Sequence, residues 1–213
     1  MSTLKKIWNF LWHDDSLASW IVSAVLAFLI VKFLIFPGLG LLLQTDYPVV
    51  AVVSGSMEHK TTPYSNGYHA CGTFVKEKEH LNFDEFWDLC RPWYEENSIS
   101  KETFQEFSFQ NGFNTGDIMV LVGTPASRLE LGDVIVFNDG RRRDPIIHRI
   151  VHVQEINGTK TFQTKGDHNA ISDVFESNIQ EEHILGRAVF RIPWLGYVKI
   201  IAVKLLNTLM SFF

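Results

Sequence analysis

The stretch VVAVVSGSMEHKT, residues 49–61, joins five apolar residues to two serines that flank a glycine. The apolar run has the β-branched composition of a strand, and Ser54-Gly55-Ser56 ends that strand at a turn. Because glycine lets the backbone bend or a substrate approach closely, the turn can present both hydroxyls. A serine hydroxyl becomes a nucleophile only when a positioned base takes its proton. By itself the motif is therefore typical of an ordinary polar turn.

A long apolar segment precedes this stretch. Residues 19–36 contain one charged side chain, Lys32, and the apolar character continues to Leu43. As a helix, residues 19–36 would be about 27 Å long, close to the hydrocarbon core of a bilayer. A cleaved signal peptide is the alternative, but the leader before the segment is long and contains two acidic residues. The pattern predicts an uncleaved transmembrane anchor at residues 19–43.

Charge around the anchor predicts its orientation. Lys5 and Lys6 precede the helix, whereas the chain from its end to Val53 has no Lys or Arg. The positive-inside rule then places residues 1–18 in the cytoplasm and everything after Leu43 outside. The whole chain has a net charge of −5. This charge argues against nucleic acid as a partner, because phosphate binding needs a basic surface.

Most of the remaining sequence has the pattern of β-structure. Short β-branched runs alternate with turn residues, and Asn157-Gly158 between two of these runs is a hairpin signal. We predict a mainly β domain over residues 44–193, built as an antiparallel sheet or small barrel. Cys71 and Cys90 form no metal-binding pattern, and the sequence leaves open whether they are paired or free.

Two stretches depart from the β-pattern. Residues 58–112 are aromatic and acidic, and Asn82 with Glu85 three positions later has the spacing of a helix capping box. We predict a mainly helical insertion there. Residues 194–213 are apolar with helical periodicity, which predicts a C-terminal membrane-associated hydrophobic helix.

Candidate bases and acids lie far from Ser56 in the sequence. His148 stands in the apolar run PIIHRIVHV, and Asp167 and Asp173 bracket a polar loop in TKGDHNAISDV. On a strand, His152 would lie about 13 Å from His148, which is too far for the two to share a metal. A carboxylate that orients an imidazole beside a hydroxyl is the arrangement that recurs in serine hydrolases of unrelated fold. Singly, each of these residues is equally compatible with a structural role.

The order of the motifs resembles that of type I signal peptidases. The anchor is followed by SGSM, GDIMVLVG, LGDVIVFN, PIIHRIVHV, FQTKGDHNAISD and ILGRAVFRIPWLGYV. These blocks are similar to the archaeal and endoplasmic-reticulum branch, which has His where bacterial enzymes have a catalytic Lys. The resemblance covers the anchor and nearly all of the chain after Gly112. It implies a signal-peptidase-like antiparallel sheet or partial barrel that acts as a membrane-bound serine endopeptidase.

The resemblance implies roles for the candidate catalytic residues. Ser56 matches the family nucleophile and His148 the general base. Asp173 matches the acid that orients the histidine, and Asp167 matches a second, supporting acid. The sequence leaves open which of the two aspartates orients His148.

The residues around the nucleophile would bind substrate. Ser54 resembles the serine whose hydroxyl forms an oxyanion hole together with the backbone N–H of Ser56. Such a donor typically stabilises the transition state by about 3 kcal/mol. Met57, directly after the nucleophile, is expected to contribute to the same substrate-binding region.

The chain departs from the family pattern in two ways. His59 stands where the family usually has proline, and the long insertion separates the serine motif from the NTGD strand that follows it closely in the family. His59 and Lys165 are therefore rival bases. A catalytically inactive assembly or binding subunit of the same fold, and a self-cleaving regulator, are the alternatives to a signal peptidase.

The resemblance also implies partners and a location. Substrates would be precursor proteins cut after small-x-small sites, and the lipid membrane would hold the enzyme. Accessory subunits or the translocation machinery are further candidate partners, and no metal or organic cofactor is expected. We expect one or two membrane passes with the catalytic domain outside the cytoplasm, and the sequence favours the cell membrane over the endoplasmic reticulum.

Overall fold

The N-terminal part of the protein is helical. In a computed structural model, helix α1 (Thr3–His13) is followed by α2 (Leu17–Ile30), a π-helical turn (Val31–Ile35) and α3 (Phe36–Leu43). The structure describes residues 3–64, 66–76, 80–138, 140 and 144–210. Within these residues, one continuous helix, Leu17–Leu43, is long and apolar enough to cross a membrane, with a mean hydropathy of 2.5.

The π-helical turn has a cause in the sequence. Pro37 lies in the first turn of α3, directly after that segment. Proline cannot donate a backbone hydrogen bond, and its ring crowds the carbonyl four residues earlier. The wider hydrogen-bonding pattern accommodates the proline without ending the helix.

Nine strands occur in the described part of the chain. Their bounds are β1 Val49–Ala51, β2 Thr62–Tyr64, β3 Gly67–Ala70, β4 Thr73–Val75, β5 Ile118–Val122, β6 Val134–Phe137, β7 Ile146–Ile156, β8 Thr159–Lys165 and β9 Ile184–Ile192. Six of them form one antiparallel sheet in the order β1-β5-β9-β6-β7-β8, which curls into a half-barrel. The mainly β fold predicted from the sequence is confirmed.

Local signals in the sequence shape this sheet. Asn157 and Gly158 have positive φ values of 54° and 79°, and they form the tight turn between β7 and β8 that the Asn-Gly pair predicted. Register shifts interrupt the ladders of three strand pairs, β5–β9, β6–β9 and β7–β8. Such irregularities increase strand twist, which helps the sheet to curl.

The core of the sheet fixes the position of the serine turn. Val52 and Met57, on either side of Ser56, are buried with Met119 and Leu121 of β5. Full burial of a methionine side chain stabilises a fold by about 2 kcal/mol. The turn that carries Ser56 is therefore held at both ends by the hydrophobic core.

The insertion contains the predicted helices and an additional small sheet. Helix α4 (Phe83–Glu96) begins with the predicted capping box of Asn82 and Glu85, and α5 (Lys101–Gln105) follows it. Before them, β2, β3 and β4 form a separate three-stranded sheet. These strands are only three or four residues long, too short to show a period-2 pattern in the sequence.

The helices of the insertion pack on the main sheet through aromatic side chains. Phe86, Trp87, Tyr94 and Phe104 are buried together against Val151 of β7. The aromatic and acidic composition of this segment therefore reflects a second hydrophobic core with a polar outer face.

A helix also forms at the C-terminal end of the described chain. Helix α6 (Tyr197–Met210) begins three residues after the predicted start at residue 194. Positions 211–213 of the predicted helix lie outside the described residues.

A disulfide connects the two parts of the insertion. Cys71, at the turn between β3 and β4, is bonded to Cys90 of α4, across a sequence separation of 19 residues. Cys71 also donates its backbone N–H to the carbonyl oxygen of His168 at 3.0 Å. The disulfide thus ties the insertion to the loop that follows β8.

Removal of this disulfide should destabilise the domain. We expect the Cys71→Ser/Cys90→Ser variant to lose about 3 kcal/mol of unfolding free energy, because a loop of this size is no longer closed in the unfolded chain. Denaturant titration in detergent measures this loss. A reducing agent should lower the unfolding free energy of the native protein by a similar amount and leave that of the double variant unchanged. Equal stability of native and double-variant protein would contradict the prediction.

Candidate active site

The serine turn is held by backbone hydrogen bonds as well as by the core. The N–H of Glu58 donates to the carbonyl oxygen of Gly55 at 3.1 Å, and the N–H of His168 donates to that of Ser56 at 2.9 Å. A Cβ on Gly55 would lie 2.7 Å from the Glu58 carboxylate, so only glycine fits this turn without a shift. Ser56 is therefore displayed on a rigid, half-buried turn.

His148 lies directly beside this serine. It is buried in β7, opposite Ile135 of β6, and its Nε2 lies 2.9 Å from the Ser56 Oγ. A Cβ on Gly166 would lie 2.8 Å from the same Nε2, so glycine lets the loop after β8 pass close to the imidazole. The two residues that the resemblance pairs as nucleophile and base are thus in hydrogen-bonding contact.

The acid in contact with His148 is Glu176, and this corrects the contact expected for Asp173. The Oε1 of Glu176 lies 2.6 Å from the His148 Nδ1, and the Glu176 side chain is buried. Asp173 instead caps the short 3₁₀ helix Val174–Glu176, accepting a hydrogen bond from the backbone N–H of Val174 at 2.9 Å. Asp173 thus caps the turn whose last residue, Glu176, contacts the histidine.

Glu176 has only a weak signal in the sequence. An acidic residue three positions after Asp173 fits the spacing of a capped helical turn. That spacing predicts a turn but gives no indication that its last side chain meets a histidine from another strand.

Asp167 lies in a separate, fully buried cluster. Arg149 donates to both of its carboxylate oxygens, at 2.9 Å from Nε and 2.7 Å from Nη2. The His59 Nε2 and the Tyr94 hydroxyl lie 3.1 and 3.4 Å from the same carboxylate. Burial raises the pKa of Asp167, but the Arg149 charge and hydrogen bonds outweigh burial and hold that pKa well below its usual range.

The rival bases are occupied elsewhere. His59 stacks on Phe86 with ring centroids 3.5 Å apart and directs Nε2 to Asp167. Lys165 is buried, and its Nζ donates to the carbonyl oxygens of Gly166 and Asp167 at 3.1 and 3.2 Å. Burial lowers the pKa of Lys165 to about 7. These side chains support the loop after β8, whereas His148 contacts Ser56.

The two expected substrate-binding residues have different environments. Ser54 is exposed, and its Oγ lies 3.2 Å from the Ser56 Oγ, at the mouth of the site. Met57 is fully buried and receives the backbone N–H of Asp167 at its sulfur, at 3.4 Å. Met57 therefore supports the turn from the core side, while Ser54 faces the cleft.

A cleft of about 520 Å³ opens over Ser56 and His148. One side is formed by Val53 and Ser54 after β1, which is an edge strand of the sheet. The other side is formed by residues 144–148, and β7 pairs with β8 only from Arg149 onward. Among the described residues, no strand pairs with these two edges, and an extended peptide can add to such edges as a strand.

The site has the arrangement of a serine hydrolase: a hydroxyl, an imidazole and a buried carboxylate in series. Comparison with known proteins adds the family context. The chain is similar to the signal peptidase complex catalytic subunit SEC11C of Homo sapiens, with 32% identity over 100 residues. It is also similar to the signal peptidase complex catalytic subunit SEC11 of Candida tropicalis, with 30% identity over 100 residues.

The similarity covers only part of this chain and of its relatives. The matched segments cover 44% of this chain and 52% and 60% of these two relatives, so the chain spans about half the length of the curated relatives it matches. No family model matches the chain. The resemblance to the endoplasmic-reticulum branch of type I signal peptidases is nevertheless confirmed by these homologues.

Lys165 should make the unfolding free energy of the protein depend on pH. In the folded state the ammonium loses its proton near pH 7, whereas in the unfolded chain it keeps the proton up to about 10.5. Between these values the unfolded state binds more protons, so the unfolding free energy should rise with pH. We expect Lys165→Met to flatten this rise, as measured by denaturant titration between about pH 7 and about pH 10.

A lysine on the same strand serves as the control for this measurement. The half-buried Lys160 donates to the carbonyl oxygen of Ser127 at 3.0 Å, outside the cluster. The Lys160→Met variant should keep the native slope. Parallel curves for native protein and Lys165→Met would show that Lys165 keeps its proton in the folded state.

Proposed function

We propose that this chain is a membrane-anchored serine endopeptidase that removes signal peptides from secretory precursors. The observation that carries this proposal is the continuous series of contacts from Glu176 through His148 to Ser56, at 2.6 and 2.9 Å. Similarity to signal peptidase complex catalytic subunits supports the choice of substrate. An inactive assembly subunit would not need these three side chains to be in hydrogen-bonding contact.

In this mechanism His148 is the general base. Its Nε2 takes the proton of Ser56 as the Oγ attacks the scissile carbonyl, and the buried Glu176 carboxylate stabilises the imidazolium that forms. His148 then gives the proton to the leaving amine, which is the new N-terminus of the mature protein. Water, activated by the same imidazole, hydrolyses the ester on Ser56.

The tetrahedral intermediate would be stabilised beside the nucleophile. The backbone N–H of Ser56 and the hydroxyl of Ser54 are the donors that we assign to the oxyanion. Ser54 is suited to this role because its Oγ lies 3.2 Å from the attacking Oγ. Asp167, held by Arg149, supports the loop that passes beside His148 and takes no proton from substrate.

The substrate would bind as an extended strand with small residues before the cut. The free edges at Val53–Ser54 and at residues 146–148 supply backbone hydrogen bonds on both sides of such a strand. Side chains of Val53, Ile146 and Ile147 line the cleft. Apolar walls of this kind favour uncharged side chains such as alanine.

The helix Leu17–Leu43 would hold this site at a membrane surface. Anchoring raises the effective concentration of enzyme near the region where a signal peptide emerges. The Cys71–Cys90 disulfide supports a catalytic domain outside the cytoplasm, since disulfides persist in oxidising compartments. The similarity to subunits from Homo sapiens and Candida tropicalis favours the endoplasmic reticulum over the cell membrane.

Helix α6 would lie at the same membrane surface. Val198, Ile201 and Leu205 are exposed apolar side chains on this helix. Accessory subunits of a signal peptidase complex are the partners that we assign to the membrane-facing parts of the chain.

Loss of either member of the serine–histidine pair should abolish cleavage. We expect Ser56→Ala and His148→Ala to lower the rate on a small-x-small precursor by at least about 10⁴-fold, since each removes a member of the catalytic unit. Gel analysis of precursor processing by detergent-purified protein measures the rate. Ser172→Ala, in the same loop region but outside the contact series, is the control. Equal rates for native protein and Ser56→Ala would exclude catalysis, and loss of intact mass of the chain itself would indicate self-cleavage.

Glu176 should matter more to the rate than Asp173. We expect Glu176→Gln to lower kcat by on the order of 10³- to 10⁴-fold, because a neutral amide cannot stabilise the imidazolium. Asp173→Asn should cost less than about 10-fold, because asparagine is also a good helix cap. The pH profile of kcat separates the roles, since only Glu176→Gln should shift the histidine limb. A larger loss in Asp173→Asn would restore Asp173 as the orienting acid.

A further inference from the structure

A second cleft adjoins the candidate active site, and the insertion forms one of its walls. It has a volume of about 580 Å³ and lies between the small sheet β2–β4 and the loop of residues 168–173. Asn169 and Asp173 line both this cleft and the cleft over Ser56. A polypeptide leaving the catalytic serine in this direction would therefore pass directly into the second cleft.

A row of four rings runs along this cleft. Ring centroids are 5.6 Å apart for Phe74 and Tyr64, 5.2 Å for Tyr64 and His69, and 5.5 Å for His69 and His168. The hydroxyl of Thr62 lies 2.9 Å from the His69 Nδ1 and 3.1 Å from the His168 Nε2. This hydroxyl fixes the two imidazoles, so the row has a defined geometry without any bound ligand.

The row is attached directly to the nucleophile. The backbone N–H of His168, at one end of the row, donates to the carbonyl oxygen of Ser56. At the other end, Tyr64 and Phe74 are 53% and 66% exposed, although both are large and apolar. The row therefore reaches from the catalytic turn to solvent along the outer face of the insertion.

The chemistry of the row suits an uncharged side chain. Burial and the neighbouring imidazole of His69 lower the pKa of His168, which favours the uncharged form of this ring. Ile171, exposed on the facing loop, adds a further apolar surface. Aromatic faces of this kind bind other aromatic or large aliphatic side chains through offset or edge-to-face contacts.

We propose that the ring row is a substrate subsite that binds an aromatic or large aliphatic side chain in the segment following the scissile bond. This inference rests on the proposed peptidase function. The segment before the bond would occupy the strand edges near Val53 and Ile147, which line the catalytic cleft but not the second cleft. The segment after the bond then extends over Asn169 into the second cleft. The insertion would thereby add a preference for particular mature N-terminal regions.

A membrane-contact role would use the same exposed rings in a different way. A surface that inserts into lipid is convex or flat, whereas these rings line a concave cleft that continues into the catalytic one. The observations therefore favour a polypeptide as the occupant. Cleavage rates in detergent and in lipid vesicles separate the two roles.

The test uses two precursors that differ at one position after the cut, with phenylalanine in one and glycine in the other. Full-length protein in detergent should cleave the phenylalanine form with the higher kcat/KM. We expect Tyr64→Ala/Phe74→Ala to lower kcat/KM about 10-fold on the phenylalanine form and no more than about 2-fold on the glycine form. The single variant Tyr64→Phe keeps both rings and should therefore retain most of the preference for the phenylalanine form.

Ile156→Ala is the matched control, because Ile156 is an exposed apolar residue of β7 that lies outside both clefts. It should leave kcat/KM unchanged on both precursors. An unchanged melting temperature of the double variant establishes that its fold is intact, since both substituted side chains are exposed.

Three results would overturn the inference. Equal losses on the two precursors, or no loss on either, would show that the rings do not select a side chain after the cut. A larger loss on a third precursor, with phenylalanine before the cut and glycine after it, would place the row on the wrong side of the bond. A loss seen in lipid vesicles for every precursor, but absent in detergent, would identify a membrane contact. Failure of Ser56→Ala to stop cleavage would instead remove the peptidase function itself.

Discussion

The buried ion pair between Arg149 and Asp167 connects the three parts of this domain. Arg149 belongs to β7, Asp167 follows β8, and the guanidinium also donates to the carbonyl oxygens of Ser108 and Phe109 in the insertion. Charges removed from water are costly unless every donor and acceptor is satisfied. A shift of any one of the three parts would leave an unpaired charge in the core. The pair therefore fixes their relative positions.

This constraint reaches the candidate catalytic residues through short connections. His148 precedes Arg149 on the same strand, and Gly166 precedes Asp167 in the loop that passes beside the imidazole. Since Arg149 is fixed, the strand has little freedom to move His148 away from Ser56. Met57, buried under the serine turn, accepts the backbone N–H of Asp167 at its sulfur and completes the connection.

The insertion is part of this support and also extends the site. Its aromatic core surrounds the ion pair, with Phe104 stacked 4.9 Å from the guanidinium and Tyr94 in contact with the carboxylate. Its small sheet contributes three of the four rings of the row beside the catalytic cleft. One segment thus stabilises the polar core through its helices and, in the proposed subsite, offers a surface for polypeptides through its strands. The disulfide between Cys71 and Cys90 joins these two functions covalently.

Features that depend on neighbouring residues were predictable from the amino-acid order alone. The apolar helix before residue 44, the Asn157-Gly158 turn and the capping box at Asn82 are local, because length, backbone conformation and side-chain capping act within a few positions. Ser56 and His148 were identified through the order of motifs, which reflects family resemblance. The acid that contacts His148 became visible only in the folded protein, where Glu176 lies at the end of a 3₁₀ turn capped by Asp173. The ring row was likewise visible only in the folded protein. Contacts between distant segments depend on the packing of several elements, so they produce no periodic pattern in the sequence.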